Sequence, residues 1–102
     1  MIQPSRVPKS VRVGGETFAI CVEHMDDWGL CKWDTKKISV SYAALKSREL
    51  LRTTLFHELC HASFMVSGHG WAEKFDEEPI IRSLEHLLLP AWDTLDAKLK
   101  KL

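Results

Sequence analysis

Residues 53–66, Thr-Thr-Leu-Phe-His-Glu-Leu-Cys-His-Ala-Ser-Phe-Met-Val, carry a single charged side chain, Glu58, in an otherwise apolar or uncharged run. The run reads as a buried helix, and an unpaired carboxylate there costs several kcal/mol or more unless a metal, water or hydrogen-bond network meets it. Within it, His57-Glu58-Leu59-Cys60-His61 is the H-E-x-x-H pattern. At 3.6 residues per turn both imidazoles project from one helix face, so both can reach one tetrahedral Zn²⁺ at roughly 2.0–2.1 Å. Glu58 lies about 100° round the helix from His57, where it can touch a metal-bound water without ligating the metal. These residue types point to hydrolysis by a metal-activated water, with Glu58 taking its proton. Given 5 histidines and 8 glutamates in 102 residues, such a pattern arises by chance in roughly two per cent of chains.

The length is that of one domain, residues 1–102, too short for two independent cores. Hydrophobic content of 45% and charged content of 27% are those of ordinary globular proteins. The 14 basic and 14 acidic residues cancel, so no global attraction to nucleic acid or anionic lipid is expected. The basic clusters Arg6, Lys9, Arg12 and Lys98, Lys100, Lys101 read as solvated termini. No apolar stretch approaches the roughly 18–20 residues of a membrane helix, and the N-terminus lacks the apolar core of a signal peptide. A cytoplasmic location is therefore expected. Cys21, Cys31 and Cys60 are odd in number and widely spaced, which fits reduced thiols, with Cys60 as a small buried side chain.

Pro4 and Pro8 mark an irregular lead-in. Val11 to Val13 and Thr17 to Glu23 alternate around Gly14-Gly15, a β-hairpin. Short strands follow at Leu30 to Trp33 and Ile38 to Tyr42, so the first half is expected to be a small antiparallel meander. Ser47 caps a helix with Glu49 in its first turn, and Ser67-Gly68 ends it. Asp76-Glu77-Glu78-Pro79 starts a second helix that should run to Leu89, where Pro90 bends or breaks it. A C-terminal amphipathic segment carries Trp92, Leu95, Leu99 and Leu102. The expected fold class is α+β, a minimal zincin-like arrangement.

A catalytic zinc site takes three protein ligands and keeps one position for water. Candidates for the third are His69, Glu77 and Glu78. Helical phase favours Glu77, which begins the stripe Ile80, Ile81, Leu84, Leu87, Leu88 and so faces the core. Glu78 heads a more polar stripe with Ile81, Arg82 and Glu85 and reads as a solvated first-turn acid. His69 lies between two glycines, eight residues past His61, and can swing toward a metal.

His57 to His61, followed by Glu77-Glu78, Leu87-Leu88-Leu89 and Pro90, resembles the compact ImmA/IrrE-like zinc metallopeptidases, which include phage-encoded members. That resemblance implies a gluzincin whose third ligand is a glutamate on a following helix, and counting back from Pro90 places it at Glu77. The chain departs from the group's pattern at Ile80, Ile81, Ser83 and Leu84. His57 to Ala62 with His69-Gly70 also resembles SprT-type metalloproteases, which implies a histidine third ligand, here His69, and a DNA-linked role.

The sequence therefore sets up a zinc-dependent peptidase acting on peptide or protein substrates. His57, His61 and Glu77 hold Zn²⁺, and Glu58 is general base and then proton donor. His69, then Tyr42, are candidates to stabilise the tetrahedral intermediate. Strand Ile38 to Tyr42 is a candidate edge for pairing an extended substrate. The non-enzymatic alternative is a zinc-containing regulatory or interaction module; the intact Glu58 argues against it.

Overall fold

The computed structural model describes residues 1–68 and 76–102. Four strands come first: β1 (Ser10–Val13), β2 (Glu16–Glu23), β3 (Gly29–Lys32) and β4 (Lys37–Ser41). A 3-10 turn (Tyr42–Lys46) leads into α1 (Arg48–Ser67), and α2 (Glu77–Ser83), a π-helical turn (Leu84–Leu88) and α3 (Leu89–Leu99) follow. The class is α+β, as expected from the sequence.

The strand order is β1-β2-β4-β3, so the expected antiparallel meander is replaced by a mixed sheet. The β1–β2 hairpin forms, with Val11 opposite Phe18 and Gly14 turning at φ +61°. The chain then skips one strand position: β4 inserts beside β2 in parallel, with Ile20 opposite Ile38 and Val22 opposite Val40, while β3 pairs antiparallel on its far side. Burial explains this order. Ile38, Ser39, Val40 and Ser41 of β4 are all buried, so both its faces and both its edges need cover, whereas β3 alternates between half-buried and exposed and suits an edge. Pairing of consecutive strands is a two-thirds tendency, and burial decides against it here.

Phe18, Ile20, Ile38 and Val40 form the helix-facing side of the sheet, and Leu45, Leu51 and Ala62 close over them. Each large side chain so buried contributes roughly 1.5–3 kcal/mol. The lead-in joins this core: Val7 is buried, and the Ile2 N–H donates to the Leu45 carbonyl at 2.7 Å.

Helix α1 starts where Ser47 Oγ accepts from the Leu50 N–H at 3.0 Å, a cap contributing about 1 kcal/mol. It ends at Gly68, whose φ of +85° suits glycine. Leu51, Leu55, Leu59, Ala62 and Val66 recur at helical spacing and pack on the sheet. The adjoining face, Thr54, His57, Glu58, His61 and Met65, lines a cleft.

The helix after Asp76 does not stop at Pro90. Pro90 offers no N–H, and the turn before it widens so that the Leu89 N–H donates to the Leu84 carbonyl, five residues back. That widening admits the proline ring without breaking the helix, which runs on to Leu99. Arg52 of α1 grips Asp93 of α3 through two hydrogen bonds, 2.9 and 2.6 Å. Among the described residues, no helix is long and apolar enough to cross a membrane.

Candidate metal centre

The helical spacing of His57 and His61 puts their rings 5.1 Å apart on the cleft face of α1. Helix α2 and the π-turn bring three carboxylates to them. The Nδ1 of His57 lies 2.6 Å from Glu85 Oε1, and the Nδ1 of His61 lies 2.9 Å from Glu77 Oε1. Each pair places an Nδ1 within hydrogen-bond distance of a carboxylate; where the ring is neutral and Nδ1–H is the donor, Nε2 is the nitrogen free to ligate. Both Nε2 atoms face Glu78: its Oε1 is 2.8 Å from His61 Nε2 and its Oε2 is 3.7 Å from His57 Nε2.

His57, His61 and Glu78 thus offer three ligand atoms within 4.8 Å of one another. Tetrahedral bonds of roughly 2.0–2.1 Å put ligand atoms about 3.3–3.4 Å apart. The observed 2.8 and 3.7 Å, each to a different oxygen of Glu78, lie either side of that separation, so the three residues are gathered near ligand spacing.

Glu77, which the helical phase favoured as third ligand, therefore sits against the outer nitrogen of His61, and Glu78 faces both inner nitrogens. The apolar stripe is buried only in part: Ile81 is fully buried, while Ile80, Leu87 and Leu88 stay exposed, and Glu77 and Glu85 turn to the histidines. Glu85 joins the site beyond the sequence expectation; its signal is its place seven residues past Glu78 on the same face. His69 lies outside the described residues. Tyr42 stacks on His24, ring centroids 4.4 Å apart, and is not among the residues lining the cleft.

Glu58 is 5% exposed. Burial pushes its carboxyl up from the ordinary range, the neighbouring His57 and His61 oppose this, and Glu78 and Glu85 add to it. Burial, reinforced by Glu58 and Glu77, also pushes the Cys31 thiol up to about 11, and Cys60 stands at about 11 through burial and the charges of Glu85 and Glu58. At neutral pH both thiols are protonated, so neither is a ready thiolate ligand. The cleft occupies ≈ 670 Å³ and runs between edge strand β3 and the histidines, with Trp28, Leu30, Leu50 and Met65 along its walls.

The model of the SprT-like family matches residues 12–77. The chain belongs to the SprT-like family. This is a zinc metallopeptidase-like family, and the matched segment runs from β1 to the first residue of α2, with His57, Glu58 and His61 inside it. No curated protein and no solved structure matches the chain. The comparisons thus show the SprT-like resemblance; ImmA/IrrE-like membership and a phage source are not shown by them. Glu78 and Glu85 lie beyond the segment that the SprT-like model covers, and His69 lies within it.

The outer carboxylates carry a prediction. A carboxylate on the far nitrogen of a ligating histidine fixes its tautomer and orientation, and losing one typically costs 10–100-fold in metal affinity. Glu85→Ala is expected to weaken Zn²⁺ binding within that range without unfolding the chain, as measured by chelator competition and circular dichroism. Unchanged affinity would remove Glu85 from the support of His57.

Proposed function

We propose that this SprT-like protein is a zinc-dependent peptidase that holds Zn²⁺ through the Nε2 atoms of His57 and His61 and a carboxylate oxygen of Glu78. The observation that carries this reading is the pairing of both Nδ1 atoms with carboxylates, which turns both Nε2 atoms toward Glu78 in an open cleft. Four carboxylates around two imidazoles also make an excess of negative charge that a divalent cation offsets. When bound, the metal acts as a Lewis acid and lowers the pKa of a coordinated water toward roughly 7.

The chain's own residues supply the rest. Glu58 stands on the turn between the two histidines, and burial raises its proton affinity above that of an exposed glutamate. A carboxylate so tuned is a better base near neutral pH, and it can return the proton to the leaving amine. Glu77 and Glu85 keep the imidazoles in the ligating tautomer.

For the substrate, the edge to consider is β3, not the Ile38 to Tyr42 strand, because β4 is interior to the sheet. The Ser41 N–H donates to the Trp28 carbonyl, so the antiparallel alternation bonds Leu30 to Ser39 and directs the backbone groups of Gly29 and Cys31 to the outer edge. An extended peptide paired there runs beside His57 and His61 and gains main-chain hydrogen bonds that do not depend on its sequence. The protein is therefore read as acting on unstructured segments of polypeptide.

A second ligand set, His57, His61 and His69, is favoured by one observation, the inclusion of His69 in the SprT-like match. The test of the function is common to both sets. Purified protein is expected to contain about one zinc per chain and to cleave an unfolded protein in a chelator-sensitive way, read by elemental analysis and mass spectrometry. Zinc without cleavage would leave an interaction module, and absence of zinc with no uptake on addition would end the reading.

A further inference from the structure

Gly29 is the first residue of β3, and its φ is not in the left-handed region, so backbone conformation does not call for glycine there. Space does. A Cβ built on Gly29 would stand 2.9 Å from Glu58 Oε2, 3.0 Å from Glu58 Cγ and 3.1 Å from the Ser39 carbonyl oxygen. In a paired strand glycine is the weaker choice, since it loses more backbone freedom than alanine and packs no side chain. What the missing side chain provides is a backbone seat: the buried carboxylate of Glu58 lies directly against the strand that forms the cleft's outer wall.

We propose that Gly29 is a positioning residue for Glu58, the bare backbone of β3 setting how far the carboxylate can withdraw from α1 and so where it stands relative to the Nε2 atoms of His57 and His61. This rests on the peptidase reading above. The contact also predicts which side yields. Two of the three close atoms belong to Glu58, and its carboxylate is the flexible end of a side chain, whereas Ser39 O is held in the β3–β4 ladder. A methyl group at position 29 therefore moves Glu58 before it moves the sheet. The fold survives, and the base is displaced by an appreciable fraction of an ångström or more.

Gly29→Ala is the test, made on the full chain. Misplacement by about 1 Å can cost on the order of 10²-fold in rate, so kcat is expected to fall roughly 10–100-fold while KM for an unfolded protein substrate and zinc affinity stay within about two-fold. A substitution that merely disturbed the strand edge would raise KM instead. An independent readout does not need turnover: the melting temperature of Gly29→Ala compared in the wild-type and Glu58→Ala backgrounds. Gly29→Ala is expected to lower it when Glu58 is present, and to leave it unchanged or raise it when the carboxylate is gone, because alanine is then the better strand residue. Should Gly29→Ala fail to fold alone, folding of the double variant supports the seat. Equal melting shifts in both backgrounds, failure of both variants to fold, or an unchanged kcat overturns it. A wild-type chain without peptidase activity would instead count against the proposed function, with the melting cycle still deciding whether Gly29 seats Glu58.

Discussion

Glu78→Ala is expected to lower Zn²⁺ affinity by more than 10²-fold, the largest loss from any single carboxylate around the two histidines. The reason is positional. Glu78 reaches the inner nitrogens of both histidines, 2.8 Å from one and 3.7 Å from the other, while Glu77 and Glu85 engage only outer nitrogens. Without Glu78 the described residues keep no carboxylate against the inner nitrogens, since Glu77 and Glu85 meet the outer ones and Glu58 is turned against β3. Glu77→Ala leaves the ligand set intact and frees one ring to rotate, so its cost should stay within roughly 10–100-fold. Competition with a chromophoric chelator ranks the variants, and a larger loss in Glu77→Ala than in Glu78→Ala would reverse the two roles.

Glu58→Gln is expected to retain zinc and fold while lowering kcat/KM by about 10²–10⁴-fold. The amide fills the same space beside Gly29 but cannot accept a proton, so the change removes the base and little else. It also removes a buried carboxylate that burial penalises. Because the folded-state pKa of Glu58 is raised, the ionised group opposes folding at pH values above that pKa, and the opposition vanishes as pH falls below the unfolded value of about 4.5. Glu58→Gln should therefore be no less stable than wild type at neutral pH, and any stability advantage should shrink on acidification. Steady-state kinetics with matched zinc content, together with melting curves of the zinc-free protein at several pH values, check both parts.

The legible parts of the chain were those governed by local chemistry. His57, Glu58 and His61 were readable because a four-residue spacing on a helix fixes a shared face, and both ends of α1 because Ser47 and Gly68 carry the capping chemistry themselves. The hairpin was readable from Gly14 between alternating runs. The order of the remaining strands was not, since the insertion of β4 between β2 and β3 is settled by burial on both faces of β4, a tertiary property.

The face of α2 is legible only in part: Glu77 is the more buried acid, 19% exposed against 47% for Glu78, as its stripe implies, yet Glu78 also meets the histidines. Periodicity distinguishes apolar from polar stripes, but it cannot tell a polar stripe that meets water from one that meets two histidines. Glu78, Ile81 and Glu85 form such a stripe, and the apolar residues Ile80, Leu87 and Leu88 are the exposed ones. Pro90 disturbs the helix as expected but does not end it, because the π-turn before it accommodates the missing N–H, and Glu85 of that turn meets His57. Nothing local marks Gly29, because the space that its Cβ would fill is taken by Glu58, a residue distant in sequence.

The most direct measurement is X-ray absorption at the zinc edge of the loaded protein, which counts imidazole and oxygen neighbours of the metal without relying on turnover. The ligand set argued above predicts two histidine nitrogens at roughly 2.0–2.1 Å and carboxylate or water oxygen at about 2.0–2.2 Å, with no sulfur near 2.3 Å. Glu78→Ala should abolish or alter that spectrum, and His69→Ala should leave it unchanged. Three imidazoles in the wild-type protein, one of them lost in His69→Ala, would contradict the assignment of Glu78.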